Sequence, residues 1–475
     1  MLFSSVTFLF AFLPIVLLAY FLTPSKYRNV TILLFSLLFY AWGEPRYILL
    51  MLLSIFINYI AGIAVGRVND KRRKLTFLIV AVAVNLGILG YYKYYNFFVE
   101  NFNAVLDRTA LPILDVILPI GISFYTFQAL SYVVDVYRGE ILVQKSFLKL
   151  ALYVTCFPQL IAGPIIKYRD VEQQLDKRHT NLTDMSEGIA QFCRGLAKKV
   201  LISNTMAGVA DKVFNLGGTE LTTGVAWVGI ICYTLQIYYD FSGYSDMAIG
   251  LGRMFGFKFA RNFDYPYIST SVQEFWRRWH ISLSTWFREY VYIPLGGNRK
   301  GRVRTYLNLL IVFFLTGFWH GASWNFVVWG MFHGTFLILE RIWLGKYLKQ
   351  SKKGFRILSH MYTMLVVMVG WVFFRADSLS HALHYIRVMF SPERVMAWPD
   401  FSAGYYLTNH VLLILVVSVL LCGILQQIYP ALDTVNRTNN RSVSRMEALL
   451  SIILLTLSMI TLISGSYNPF IYFRF

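Results

Sequence analysis

Residues 47–66 read YILLMLLSIFINYIAGIAVG and contain no charged side chain. A helix of this length rises about 30 Å, the thickness of a bilayer's hydrocarbon core. Comparable apolar runs predict further spans at residues 4–22, 30–43, 75–98, 223–240, 305–319, 323–344, 357–374, 408–428 and 446–465. The sequence therefore predicts an all-α, polytopic membrane protein of about eleven transmembrane helices, forming one domain over residues 1–475.

Composition supports the same class. Of the 475 residues, 56% are hydrophobic and only 15% are charged, whereas soluble domains carry about 25% charged residues. The net charge of +19 comes largely from Lys and Arg in short loops between apolar runs, such as residues 70–74, 298–304 and 346–353. Such loops face the cytoplasm, so we expect a lipid bilayer rather than a nucleic acid as the partner of this charge.

The basic loops also predict an orientation. Lys26 and Arg28 follow the first span, and Lys71 to Lys74 follow the third. If both loops are cytoplasmic, the N-terminus of this multi-pass membrane protein is outside. The first span has no basic segment before it, so we expect a retained helix rather than a cleaved signal peptide.

The middle of the chain is broken by helix-terminating residues. Pro112, Pro119 and Gly121 interrupt one apolar stretch, and Pro158 and Pro164 interrupt another. Irregular backbone at membrane depth is tolerated only beside protein or a water-filled cavity. We therefore expect re-entrant helices around a cavity between residues 112 and 300, with the main extramembrane loops at 167–187 and 391–404.

One histidine lies at the end of a short span, in Gly317-Phe318-Trp319-His320-Gly321-Ala322-Ser323-Trp324. If the basic loops at 299–304 and 346–353 share one side, residues 305–344 cross the membrane twice. The first leg, 305–319, is only about 22 Å long, which places His320 and the turn after it within the membrane. An ionisable side chain at that depth favours a functional role over a structural one.

A second histidine lies in Phe275-Trp276-Arg277-Arg278-Trp279-His280-Ile281-Ser282. Treated as a helix, residues 275–290 place His280 within an aromatic face. A catalytic role and an interfacial amphipathic helix carrying a packed neutral histidine both fit this pattern.

Two neutral imidazoles suit acyl transfer. One can take the proton of an attacking hydroxyl, and the other can donate a hydrogen bond to the developing oxyanion. Neither role needs a metal, and the four isolated cysteines show no metal-binding spacing. The pair His179 and Asp184 has the spacing of a glycerolipid acyltransferase motif, but a helix start explains these residues better.

A polar cluster ends another apolar run, in the segment 236–246. Its carboxylates, Asp240 and Asp246, could line a cavity or could cap a helix break, and the sequence leaves both alternatives open.

At these residues the chain resembles the membrane-bound O-acyltransferase family, and within it the bacterial branch of alginate and peptidoglycan O-acetyltransferases. The resemblance extends over Leu118 to Gln128, Phe157 to Pro164, Tyr239 to Asp246, Phe275 to Ser284, Trp319 to Trp324, Trp371 to Ala376 and Phe470 to Phe475. It implies a ring of helices around a central tunnel, with His320 and His280 as the catalytic residues. Further residues expected to line the cavity or bind substrate are Trp319, Ser323, Arg277, Asp240, Ser242, Tyr244 and Gln128.

The resemblance also implies the reaction. An acyl thioester in the cytoplasm, acetyl-CoA by expectation, would be a co-substrate, and no bound cofactor is needed. The acetyl group would reach an exported or cell-wall polysaccharide through an extracytoplasmic acetyltransferase partner protein. Two alternatives remain, namely D-alanyl transfer to teichoic acid and a proton-coupled transporter, although the chain has no two-half repeat.

Overall fold

The computed structural model describes residues 1–161, 163–217, 220–348, 353–391, 402–428, 444–465 and 467–471. Parts of the predicted loops at 346–353 and 391–404, and residues 162 and 472–475 of the resembling segments, lie outside these ranges. Every regular element of the described residues is a helix. The all-α prediction is therefore confirmed.

The described residues form two compact units. The first comprises residues 1–193, 244–260 and 442–451. Its helices are α1 (Leu13–Leu22), α2 (Arg28–Gly43), α3 (Ile48–Arg67), α4 (Lys71–Leu89), α5 (Tyr95–Leu106), α6 (Ile122–Arg138), α7 (Phe147–Thr155), α8 (Phe157–Leu160) and α9 (Tyr168–Asp176).

The second unit comprises residues 194–243, 261–441 and 452–475. It contains α11 (Asn204–Phe214), α13 (Val272–Arg278), α14 (Ile281–Phe287), α15 (Arg302–His320), α16 (Trp324–Leu339), α17 (Gly345–Leu348), α18 (Lys353–Arg375), α19 (Leu379–Phe390), α20 (Ala403–Tyr406), α21 (Asn409–Val419) and α22 (Leu425–Ile428). Three helices have residues in both units: α10 (Leu182–Ala197), α12 (Thr223–Met254) and α23 (Arg445–Ser464).

Among the described residues, five helical segments are long and apolar enough to cross a membrane: Ile48–Arg67, Lys71–Leu106, Trp324–Leu348, Gly354–Arg375 and Arg445–Ser464. Two shorter apolar segments, Phe8–Leu22 and Asn409–Ile424, also match predicted spans. Large apolar side chains are exposed along these segments, for example Leu18 and Leu49, as expected of lipid-facing helices. The number of crossings, the side of the N-terminus, the tunnel and the single domain stay predictions.

Buried polar contacts fix helix pairs within the first unit. Asn58 in α3 and Asn85 in α4 exchange amide hydrogen bonds of 2.9 and 3.0 Å in an otherwise apolar contact. Amide pairs of this kind join membrane helices, because neither group has water as an alternative partner. The predicted interruption of the middle is also present, since Gly121 has a φ of +77° immediately before α6 and α8 has only four residues.

Helices α15 and α16 approach each other closely in the second unit. A Cβ atom on Gly317 would lie 2.2 Å from the carbonyl oxygen of Phe326, and one on Gly330 would lie 2.2 Å from that of Phe313. Glycine at both positions lets the two backbones touch, as small residues do in membrane helix pairs. The hairpin therefore holds the turn after His320 in a fixed place.

Candidate active site

His320 is the last residue of α15, as the sequence predicts, although this helix begins at Arg302 and is longer than the predicted run 305–319. Gly321 is extended, and the hydroxyl of Ser323 caps α16 by accepting a hydrogen bond of 3.3 Å from the backbone N–H of Asn325. The His320 ring is buried. Its centroid lies 4.9 Å from the centroid of Trp319 and 5.1 Å from that of Trp329.

A small cavity adjoins this ring. Its wall consists of His320, two isoleucines and the aromatic side chains Phe241, Trp279, Trp329, Trp371 and Phe374. His320 is the one titratable member of this wall. An aromatic lining excludes water and strengthens any hydrogen bond formed inside the cavity.

A polar cavity of about 250 Å³ adjoins the aromatic one, because Phe374 and Ile471 line both. Ser323, Gln236 and Arg375 are among the residues that line it. The guanidinium of Arg375 is buried and lies 2.7 Å from a carboxylate oxygen of Asp211. The polar cavity thus places hydroxyl, amide and charged groups next to the aromatic cavity.

His280 lies between two short helices rather than inside one. The continuous helix predicted over 275–290 is wrong, because α13 ends at Arg278 and α14 begins at Ile281. Between them His280 adopts a left-handed backbone with a φ of +43°. The break is stabilised by Asn262, whose backbone carbonyl accepts a hydrogen bond of 2.9 Å from the N–H of Ile281.

The His280 ring is enclosed and neutral. Burial lowers its pKa to about 3, because the imidazolium would lose its hydration. The edge of Phe241 lies against it, with ring centroids 4.6 Å apart. Trp319 lies 6.4 Å from its centroid on another side. Since Trp319 also contacts His320, one indole ring joins the two predicted catalytic histidines.

Asp240 forms a buried ion pair that the sequence did not reveal. Its carboxylate lies 2.7 Å from the ammonium of Lys199, and each side chain is 2% exposed. Its second oxygen accepts a hydrogen bond of 2.9 Å from the backbone N–H of Ile471. The helix-break alternative for Asp240 is wrong, because α12 continues through it to Met254.

The other predicted residues are spread more widely. Ser242 is buried one residue after Phe241, whereas Arg277 is exposed on α13. Gln128 and Tyr244 belong to the first unit. There Gln128 is fully buried in α6, and the ring of Tyr244 stacks on that of Phe3 with centroids 4.6 Å apart.

Sequence reasoning missed Lys199, Asn262 and Ile471. Lys199 lies in a π-helical turn between α10 and α11, and the signal that could have found it is a lysine directly before the apolar residues 200–202. His333 packs between Trp276 and Trp329, at centroid distances of 5.2 and 5.3 Å. The pair His179 and Asp184 marks the start of α10, where the side chain of Asn181 accepts the backbone N–H of Asp184.

Several known proteins are similar to this chain in amino-acid sequence. The chain is 42% identical to a probable alginate O-acetylase of Pseudomonas putida, over the whole length of both. It is 37% identical to a peptidoglycan O-acetyltransferase of Helicobacter pylori, over 82% of this chain and 80% of that protein. It is 28% identical to a teichoic acid D-alanyltransferase of Streptococcus thermophilus, over 48% of this chain and 58% of that protein.

A family model describes the same region. The model of the membrane-bound O-acyltransferase family matches residues 37–379, which include both histidines and the residues between them. The chain therefore belongs to the membrane-bound O-acyltransferase family and is an O-acyltransferase.

Proposed function

We propose that this protein O-acetylates an exported or cell-wall polysaccharide, with acetyl-CoA in the cytoplasm as the acetyl donor. The observation that carries the proposal is the buried His320, which borders an aromatic cavity and shares Trp319 with His280. Relatives with 42% and 37% identity are named as a probable alginate O-acetylase and a peptidoglycan O-acetyltransferase. The D-alanyltransferase resemblance is weaker and covers only half of this chain, which favours acetyl over D-alanyl as the transferred group.

The reaction needs one base and no bound cofactor. His320 takes the proton of the attacking hydroxyl, whose oxygen forms a bond to the acetyl carbon. The bond between that carbon and the thioester sulfur then breaks, and the leaving thiolate takes the proton from the imidazolium. His280, whose ring also neighbours Trp319, is the second catalytic residue.

The orientation follows from the basic loops. Helices α15 and α18 begin next to basic segments, Arg302 being the first residue of α15, and they end at His320 and Arg375. With these basic ends on the cytoplasmic side of a bacterial inner membrane, the polar cavity lined by Ser323 and Arg375 lies toward the outside. We place the acetyl acceptor there, and we propose that a separate extracytoplasmic protein carries the acetyl group onward to the polymer.

Labelled acetyl-CoA given to the purified protein in membranes tests this function. Wild type should release or transfer the label, and His320→Ala should lose roughly 10²–10⁴-fold of this activity, the usual contribution of a general base. His410→Ala is the matched control, because His410 is exposed on α21. Near-normal turnover by His320→Ala at equal folded protein would remove this histidine from the mechanism. An intact thioester with wild type would favour transport instead.

The partner proposal has its own test. Reconstituted protein with acetyl-CoA and a soluble glycan polymer should acetylate little of the polymer until an extracytoplasmic fraction is added. Full acetylation by this chain alone would contradict a separate partner.

A further inference from the structure

The side-chain oxygen of Asn262 is surrounded by hydrogen-bond donors. It accepts a hydrogen bond of 3.1 Å from the backbone N–H of Ser282 and one of 2.8 Å from the hydroxyl of Ser282. The Nδ1 atom of His280 lies 3.1 Å from the same oxygen. Because a backbone N–H can only donate, the atom facing it must be the amide oxygen and not the amide nitrogen.

This oxygen decides which ring nitrogen of His280 carries the proton. An unprotonated Nδ1 would place its lone pair against a lone pair of the Asn262 oxygen, whereas a protonated Nδ1 donates a hydrogen bond to that oxygen. The hydroxyl of Ser282 is 3.4 Å from Nδ1 but only 2.8 Å from the Asn262 oxygen, so its proton is committed to Asn262. The neutral ring therefore carries its proton on Nδ1 and leaves a lone pair on Nε2.

The Nε2 atom of His280 is buried and has no hydrogen-bond partner among the residues that the structure describes. A buried nitrogen without a partner loses the energy of a hydrogen bond, unless a ligand supplies a donor. The backbone supports this arrangement. The carbonyl of Asn262 accepts a hydrogen bond from the N–H of Ile281, which follows His280 and its left-handed conformation.

We propose that Asn262 is a positioning residue of the transferase, which holds the His280 proton on Nδ1 and so presents Nε2 to the bound substrates as a hydrogen-bond acceptor. This inference rests on the proposed acetyl transfer. It replaces the oxyanion-donor role that the sequence suggested for His280, because a neutral ring with Nδ1–H has no proton on Nε2 to donate. Proton transfer itself stays with His320.

Few groups other than Asn262 could set the state of this ring. The aromatic side chains against it, Phe241 and Trp319, do not titrate. His320 contacts Trp319 as well, and the ring centroids of Trp319 and His320 are 4.9 Å apart. Among the charged neighbours along the chain, Arg261 and Arg278 each pair with Asp264 at 3.5 Å.

The test compares Asn262→Asp with wild type over pH. The new carboxylate keeps an acceptor for Nδ1–H and is itself kept ionised by its donors, so it raises the pKa of His280. Once Nε2 of His280 is protonated, it can no longer accept a hydrogen bond. We therefore expect near-normal activity of Asn262→Asp at high pH and an activity that falls as the pH drops, at a higher pH than in wild type. If His280 worked as a donor, the same variant would instead gain activity as the pH drops.

Two further variants complete the experiment. Asn262→Ala should lose roughly 10- to 100-fold in kcat, the rate equivalent of one or two lost hydrogen bonds. Asn215→Asp adds a carboxylate at an exposed residue and should keep the wild-type pH profile. If Asn262→Ala fails to fold, the direction of the Asn262→Asp profile alone decides.

An Asn262→Asp profile that matches wild type, or one that rises toward acid, would overturn the inference. So would full activity of folded Asn262→Ala. Failure of wild type to use labelled acetyl-CoA would count against the proposed function instead, and the two failures are thereby distinguishable.

Discussion

Removal of the Asp240 carboxylate should destabilise the second unit strongly. In Asp240→Ala, the ammonium of Lys199 loses the oxygen 2.7 Å away while remaining buried. The backbone N–H of Ile471 loses its acceptor as well. Removing one partner of a buried ion pair lowers the free energy of unfolding by about 3–5 kcal/mol. Because Lys199 also donates to the carbonyl of Pro469, we expect the lower part of that range, about 3 kcal/mol.

Thermal unfolding of the purified protein in detergent, followed by tryptophan fluorescence, measures this loss. The double variant Lys199→Met with Asp240→Leu should recover much of the stability, because no charge is then left buried. Asp176→Ala is the matched control, since Asp176 pairs with Lys149 at the surface and is 53% exposed. That substitution should cost at most about 1 kcal/mol. If Asp240→Ala cost no more than the control, the assignment of Lys199 and Asp240 as a stabilising buried pair would be wrong.

Three other predictions concern the hairpin and the histidines. Gly330→Ala should lower the amount of folded protein, because its Cβ would lie 2.2 Å from the backbone of Phe313, whereas Gly87→Ala meets nothing within 4 Å and should be neutral; expression and detergent stability measure both. His280→Asn should keep some acetyl transfer, because an amide can still make a hydrogen bond, whereas His280→Ala should keep little. His333→Ala should lose activity only in proportion to lost folded protein, and a loss beyond that proportion would give His333 a part in the chemistry.

Helix positions follow closely from the sequence. The run at 305–319 predicts a helix that the structure places at Arg302–His320, and the run at 446–465 predicts the helix Arg445–Ser464. These agreements have a simple cause, because apolar length and basic flanks are properties of a single segment. The turn at Gly321 to Ser323 was predictable for the same reason.

The polar contacts that build the site did not follow from the sequence. Asp240 pairs with Lys199, 41 positions away, and His280 bonds to Asn262, 18 positions away. Periodicity describes the faces of one segment and carries no information on which polar groups from two segments meet. The same limit explains the incorrect helix over 275–290, since residues at its break bond to Asn262 and Asp264, which lie outside the segment.

The distribution of polar groups around the two histidines fits acyl transfer within a membrane. An imidazole that must stay neutral and receptive benefits from an apolar wall, and His320 has one in Trp329 and Phe374. Such a wall gives no orientation by itself, because aromatic rings make few directional contacts. Orientation must come from buried polar groups, among them the Asn262 amide at His280 and the carboxylate of Asp240 at Ile471. We therefore expect substitutions at these two polar residues to impair catalysis or folding more than conservative changes in the aromatic wall.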